Sequence, residues 1–361
     1  MLYRVIGLMS GSSLDGLDIA FVEFLETSGK WSFEVKNAET IPYDKDWIQQ
    51  LQSAPDLSAK EYLLLHSRYG HYTGSLVNQF IDKHHLHYQV QLIASHGHTS
   101  FHMPGAGMTA QLGDGAAIAA ETGIITISDL RAMDVALGGQ GAPIVPISEK
   151  LLWPGHSLFL NIGGIANVSY SSSSGYKAMD ICPANRVLNL LAAAEGLSYD
   201  AGGSLAASGT LHIDLLEALN ALDYYKLPAP KSLANQFGIE IVLPLIKSFG
   251  FSTADALHTY CEHIAQQVLG SIRYFKGGEN LADSMLVTGG GAFNDFLLQR
   301  LQSRLTELNT TVVVPDAETI NFKEAIAMAL IGTLRWRDEA NVLQTVTGAS
   351  KDSVGGAVWG V

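Results

Sequence analysis

The chain has 361 residues, 47% of them hydrophobic and 16% charged, with 36 glycines. That balance describes a compact folded enzyme long enough for two domains, and excludes a disordered scaffold. The formal net charge of −13, from 22 basic and 35 acidic residues, excludes binding along a nucleic-acid backbone or an anionic membrane, so any anionic ligand must meet a local positive site.

Two cysteines, Cys182 and Cys261, are too few for a disulfide framework or a thiolate zinc site. The first apolar stretch is broken at Ser10-Gly11, without the basic start and small-residue cleavage site of a signal peptide. No apolar run reaches membrane-spanning length. The expectation is a cytoplasmic protein with no membrane or nucleic-acid partner.

In chain order, Tyr3–Met9 reads as a strand, Ser10-Gly11-Ser12-Ser13-Leu14-Asp15-Gly16-Leu17-Asp18 as a glycine-serine turn, and Ile19–Phe24 as the returning strand. Backbone N–H groups, hydroxyls and the carboxylates of Asp15 and Asp18 in one small turn suit a nucleotide's phosphates and their magnesium ion. An Asx-type turn, in which Asp15 bonds its own backbone, is the plain alternative. A strand around Trp31–Ala38 follows, then a helix over Ser58–His84 from the spacing of Leu63, Leu64, Tyr69, Leu76, Phe80 and Ile81. Gln91–Ala94 reads as a buried strand ending in the polar cluster Ser95-His96-Gly97-His98-Thr99, placed where the carboxyl end of a strand opens into a site.

A helix over Gly113–Thr122 and a strand over Gly123–Ser128 lead into the glycine-rich loop Asp129–Pro143. The domain crossing is expected near this loop. The boundaries are then 1–127 plus 340–361 for the first domain and 128–339 for the second. The second domain restarts with a strand at Ser157–Ile162, a turn at Gly163-Gly164 and a return through Ile165–Tyr170, echoing the opening hairpin. The echo points to two related domains facing each other across a cleft. Later, Met285–Thr288 feeds Gly289-Gly290-Gly291-Ala292-Phe293-Asn294 and the helix Asp295–Leu305, and a final helix with small residues runs over Phe322–Trp336. Glycines at a helix entry let a phosphate or planar ring approach the backbone.

No Gly-x-x-x-x-Gly-Lys-Ser/Thr loop is present, and Gly289–Asn294 lacks the last glycine of a dinucleotide fingerprint. The order of hairpin, second hairpin, strand–triple glycine–helix and small-residue helix resembles that of the actin, hexokinase and chaperone-type ATPases. Gly11–Asp18 resembles the Gly-Thr-Ser-Leu-Asp-Gly-x-Asp signature of the anhydro-N-acetylmuramic acid kinases. Ser95–Thr99, the run Asp129–Pro143 with its core at Val135–Pro143, Asn161–Val168 and Gly289–Asn294 resemble that family in order, over nearly the whole chain. Three segments depart from the pattern: His98 replaces a glutamine, Cys182 and Ala184 replace glycines in Met179–Asn185, and Pro230–Gln236 lacks an arginine and a glutamate, with Asn235 in the arginine's place.

The resemblance implies an α/β protein of two actin/hexokinase-like (ribonuclease H-like) domains, mixed sheets with flanking helices, around a central cleft. It implies a kinase that uses ATP and Mg2+ to phosphorylate the carbon-six oxygen of 1,6-anhydro-N-acetylmuramic acid while water opens the anhydro bridge, in peptidoglycan recycling, and a homodimer. Asp180 takes the position of the family's catalytic base; read without the family, it serves equally well to cap the helix suggested at Asn185–Ala194. ATP contacts are expected at Gly11, Ser12, Ser13, Leu14, Asp15, Gly16, Leu17, Asp18, Asn161, Gly163, Gly164, Asn167, Gly289, Gly290, Gly291 and Asn294, with magnesium at Asp15 and Asp18, partly through water. Substrate contacts are expected at His98, Thr99, Arg131 and Glu324, with Arg131 meeting the lactyl carboxylate or, alternatively, pairing with Asp129 and Asp134. A kinase of a related sugar, or a non-enzymatic ATP switch, is the rival function. A zinc site at His96, His98 and His102 is a weaker rival, since Ser100 and Phe101 stand where further ligands are wanted.

Overall fold

The computed structural model describes residues 1–172, 175–228, 231–234, 236–277 and 283–360. Pro230 and Asn235 of the departing segment lie outside the described residues. The chain forms two compact units, one of Met1–Pro154 with Phe322–Val361, the other of Gly155–Asn321.

The first unit holds β1 (Leu2–Ser10), β2 (Gly16–Thr27), β3 (Lys30–Pro42), β4 (Leu92–Met103), β5 (Met108–Leu112) and β6 (Thr126–Ser128). The second holds β7 (Leu158–Ile162), β8 (Ile165–Ser172), β9 (Gly175–Pro183), β10 (Asp283–Thr288) and β11 (Thr310–Val313); β12 (Ala357–Trp359) returns to the first. Among the described residues the sheets run β12-β6-β4-β1-β2-β3, with β5 paired to β4, and β11-β10-β7-β8-β9.

The two sheets share one plan. In the first, β1 pairs β2 and β2 pairs β3 antiparallel, while β4 joins β1 and β6 joins β4 in parallel. In the second, β7 pairs β8 and β8 pairs β9 antiparallel, while β10 joins β7 and β11 joins β10 in parallel. This repetition is the ribonuclease H-like arrangement, and the echo between the two hairpins is its sequence trace.

Alternation places Ile6 and Leu8 on one face of β1, where they pack with Tyr69, Leu76, Val77 and Phe80 of the helix Ala59–His84. Ser58 starts that helix with a capping box to Glu61. Gly7 points the other way, against the helix Ala317–Trp336: a Cβ on it would sit 1.9 Å from the Ala325 carbonyl oxygen. In the second unit Leu158, Leu160 and Ile162 of β7 pack with Val187, Tyr260, Ile264 and Leu297 from three helices. Each fully buried Leu or Ile contributes roughly 1.5–3 kcal/mol.

Two expectations are corrected. Residues 128–154 and 322–339, expected in the second domain, belong to the first unit. The reason is contact: Asp134 accepts from Gly141 N and from Thr347 Oγ1, both at 2.7 Å, tying the glycine-rich loop to the chain's last segment, while the small-residue helix lies on Gly7. In addition, β4 does not end at Ala94 but runs on through the polar cluster to Met103. Register shifts at Ser95–His98 and Thr99–Phe101 let it do so, with Gly97 at φ +73, where a Cβ would lie 2.4 Å from the Leu112 carbonyl oxygen.

Candidate active site

In the first unit β1 and β2 pair up to Ser10 opposite Leu17, and the chain turns over Gly11–Asp15, closed by Leu14 N donating to the Gly11 carbonyl at 3.3 Å. The Ser13 hydroxyl donates to Asp15 Oδ1 at 2.5 Å, so Asp15 bonds its neighbour rather than forming the plain Asx turn. The N–H groups of Ser12 and Ser13 have no protein acceptor among the described residues. Leu17 faces the core, and Gly16 is pressed against the Ile41 carbonyl by strand pairing, so each has only its backbone to offer a ligand.

Asp18 lies opposite Met9 and Thr40, and Thr40 Oγ1 donates to its Oδ1 at 2.5 Å. Burial, and then the charges of Asp15 and Glu324, push its carboxyl up to about 6 against that hydrogen bond. Glu324 is solvent-accessible, yet the protein mass around its carboxyl raises its pKa, opposed by Arg131 and Lys323. Asp18 thus feels the charges of Asp15 and Glu324, and Glu324 in turn feels Arg131, although the three regions are far apart in sequence.

Arg131 is not locked in an ion pair with Asp129 or Asp134. Asp129 accepts from the Ser128 hydroxyl and Asp134 from Gly141 and Thr347. The guanidinium instead donates from Nε to His96 Nε2 at 2.7 Å and from Nη1 to the Gly141 carbonyl at 2.6 Å. Burial brings its pKa down to about 10, with Glu324 and Asp134 holding it up, so it stays charged at neutral pH.

His98 is buried. It is 6% exposed, and its Nδ1 meets Ser10 Oγ at 3.0 Å in a buried network where Tyr43 also donates to Ser10. That contact braces Ser10, the residue that opens the hairpin. Thr99 is exposed, with its hydroxyl accepting from Gln111 at 3.4 Å. The zinc reading loses its ligands, since both nitrogens of His96 and Nδ1 of His98 are committed to protein partners.

In the second unit Asn161, Asn167 and Asp180 stand directly opposite one another across β7, β8 and β9, and Thr288 of β10 extends the row. A bulge at Ile181 sets this register: Ala166 pairs Cys182, while Asn167 pairs Asp180. Cys182 enters the core, and the bulge gives Asp180 the face of Asn167 instead. Leu233 N donates to Asp180 Oδ2 at 2.8 Å, Asp180 N donates to the Lys231 carbonyl, and the Tyr224 hydroxyl donates to the Asp180 carbonyl. Oδ1 has no protein donor among the described residues. Burial raises the Asp180 pKa, and the Leu233 N–H opposes it. Asp180 does not cap the helix Asn185–Ala192, which begins at Ala184 without a side-chain cap.

The carbonyl groups of Gly163 and Gly164 accept from Asn185 N and Ala184 N, fixing the turn to the start of that helix. Asn185 Nδ2 donates to the Ile162 carbonyl and lies beside Gly290 and Gly291. Gly289, at φ 79 and ψ 169, presses on Asn161 and Ile162. The triple glycine therefore sits beside the second hairpin turn. Asn294 stands apart, capping the helix Asp295–Leu305 through Leu297 N.

Sequence reasoning gave no role to Asn185, Thr40 or the Leu233 N–H, and read His96 only as part of a polar cluster and of a rival zinc site. Asn185 lies in the departing Met179–Asn185 segment and His96 in a polar cluster, so each carried a signal. Leu233, 53 residues from Asp180, carried none.

Each unit's hairpin turn, taken by itself, carries groups that fit phosphate, and the first unit's turn also fits magnesium. The N–H groups of Ser12, Ser13, Gly163 and Gly164 lack protein acceptors among the described residues, which suits phosphate oxygens. Asp15 and Asp18 supply two carboxylates rather than a full cage, which suits an ion that keeps water and phosphate ligands.

Two repeated ribonuclease H-like units, each turning a hairpin through a polar tip, define a protein of the actin/hexokinase fold class. The chain belongs to the anhydro-N-acetylmuramic acid kinase family, whose model matches residues 3–360. An anhydro-N-acetylmuramic acid kinase of Synechococcus elongatus is 35% identical and one of Hydrogenovibrio crunogenus 32% identical; the alignments cover 99% and 98% of this chain and 99% and 97% of the relatives. A ROK family glucokinase from Streptomyces griseus, solved with glucose and AMPPNP, aligns over 91% of this chain and 99% of its own at 9% identity and a TM-score of 0.42, a likeness on which no functional point rests. The protein is an ATP-dependent sugar kinase, with ATP and Mg2+ the expected pair. No helix among the described residues is long and apolar enough to cross a membrane.

Proposed function

We propose that this protein phosphorylates the carbon-six oxygen of 1,6-anhydro-N-acetylmuramic acid while water opens the anhydro bridge, giving N-acetylmuramic acid 6-phosphate and ADP for peptidoglycan recycling. The observation that carries the reading is the carboxylate of Asp180, tethered at Oδ2 by Leu233, open at Oδ1 and raised in pKa. A tethered carboxylate with one open oxygen is equipped as a general base.

In this reading Asp180 takes a proton from the water that attacks the anomeric carbon. The bond from that carbon to the bridge oxygen breaks, and its electron pair stays on the oxygen that becomes the phosphorylated one. ATP with magnesium supplies the phosphoryl group and ADP as the leaving group. Ser12, Ser13, Gly163 and Gly164 offer N–H groups to phosphate oxygens, with the remaining hairpin positions Gly11, Leu14, Gly16 and Leu17 contributing backbone. Asp15 and Asp18 hold magnesium, partly through water. Asn161 and Asn167 orient polar groups beside Asp180, and Gly289, Gly290, Gly291 and Asn294 form the adenosine side. Arg131 meets the lactyl carboxylate, with His98, Thr99 and Glu324 on the sugar side.

The first unit is thus the magnesium hairpin unit, and the second carries the second phosphate turn and the glycines. A homodimer in the cytoplasm, with no nucleic-acid partner, completes the proposal; the acidic composition supports the last point. Family membership disfavours a sugar-independent ATP switch.

A coupled assay of ADP release with anhydro-N-acetylmuramic acid, related anhydro sugars and ordinary hexoses tests the reading. Strict dependence on the acidic anhydro sugar is expected. ADP release unaffected by any sugar, or fastest with a hexose, would overturn it.

A further inference from the structure

Arg131 is an arginine held by neutral acceptors. His96 Nδ1 lies 2.8 Å from the Gly97 carbonyl, which can only accept, so Nδ1 carries the hydrogen and Nε2 presents a lone pair. Arg131 Nε donates into that lone pair at 2.7 Å, and Nη1 donates to the Gly141 carbonyl. Neither contact cancels the guanidinium charge. Among the described residues, no carboxylate lies within ion-pair distance of Arg131, and the Nη2 hydrogens make no hydrogen bond. The arginine is therefore aimed without being neutralised, as an anion receptor requires.

His96 stays neutral. It is 3% exposed, and burial, then the Arg131 charge, hold its pKa near 3. Its orientation comes from the bulge at Gly97, whose positive φ turns His96 toward Arg131 and His98 toward Ser10 on either side of one glycine.

We propose that His96, as its neutral Nδ1–H tautomer, is a positioning residue that orients Arg131 for the acidic side chain of the sugar and thereby selects the acidic substrate over its neutral counterpart. The proposal rests on the reading of Arg131 as the receptor of the lactyl carboxylate. Its physical content is that loss of the Nε2 acceptor frees the guanidinium to rotate. The cost then falls on binding of the carboxylate, not on the chemical step.

The test uses full-length His96→Leu, His96→Gln and Arg131→Ala proteins with the acidic anhydro sugar and with the same sugar lacking the lactyl group. His96→Leu should raise KM for the acidic sugar about tenfold, with kcat, the KM for ATP and binding of the lactyl-free sugar unchanged. His96→Gln, whose amide oxygen can accept from Nε, should recover most of the loss. If Arg131→Ala abolishes discrimination between the two sugars while His96→Leu keeps it, the positioning role is wrong and the receptor reading stands. If Arg131→Ala itself keeps the discrimination, the receptor reading has failed. Nitrogen NMR of the His96 imidazole in the wild-type protein needs no variant to fold: a bare Nε2, unchanged between about pH 5 and about pH 8, is expected, and a protonated Nε2 would overturn the proposal.

Discussion

Asn167 on β8 stands directly opposite Asp180 on β9, and the bulge at Ile181 is what puts it there. Cross-strand partners share a face, and a slip of one residue would reverse every side chain. In an unbulged strand Asp180 would share the face of Cys182, which lies wholly in the core. The family's usual glycine at Cys182 is therefore replaced by a side chain that the core absorbs, with the carboxylate position intact.

Asp180→Asn tests the base directly. The amide oxygen can still accept from Leu233, so the fold should be retained, with a melting temperature close to wild type. Loss of a general base should lower kcat by about 10²–10⁴-fold. Near-normal ADP release would remove Asp180 from the chemistry.

The pH dependence follows from the same group. Asp180 must be ionised to accept a proton, and burial raises its pKa above the ordinary 3.8, so kcat should fall as pH drops through that raised value. The Leu233 N–H favours the ionised form, so Leu233→Pro, which removes the donor, should move the acid limb upward. A limb at or below the ordinary aspartate value, or one unmoved by Leu233→Pro, would contradict this assignment.

Asp18 should trade stability for function. Its folded pKa of about 6 exceeds 3.8, so its contribution to stability is present below 3.8 and lost as pH rises through about 6. Asp18→Asn should therefore melt higher than wild type at neutral pH, by roughly 2–4 °C for each kcal/mol gained. The gap should close towards about pH 4, and activity at saturating magnesium should be lower. Equal melting temperatures across the range would refute the electrostatic reading.

Gly289→Ala should affect the ATP side selectively. The φ 79 and ψ 169 of Gly289 are essentially restricted to glycine, at a cost on the order of 1–3 kcal/mol for other residues. A Cβ would also lie 2.5 Å from Asn161 Oδ1 and 2.8 Å from the Ile162 carbonyl oxygen. Lower stability in urea and a raised KM for ATP are expected, with KM for the sugar little changed; an unaffected KM for ATP would count against the adenosine assignment.

Much of the fold was legible because its signals are local. Alternating apolar residues broken by Gly11 and by Gly163-Gly164 marked both hairpins, and helical spacing marked Ser58–His84. The glycine-rich loop misled the domain boundary because its anchor, Thr347, lies 213 residues from Asp134. The polar cluster at Ser95–Thr99 read as the end of its strand because a bulge has no periodic signature, whereas β4 passes straight through it.

The sequence by itself determined the repeated hairpins, the order of the motifs and hence the family, since each depends on neighbours within a few residues. Tertiary structure alone decided which groups act on one another. His96 faces Arg131, Leu233 tethers Asp180, and burial raises the pKa of Asp18. Such contacts join residues from separate elements, and their directions depend on register, bulges and burial, which no short stretch of sequence encodes.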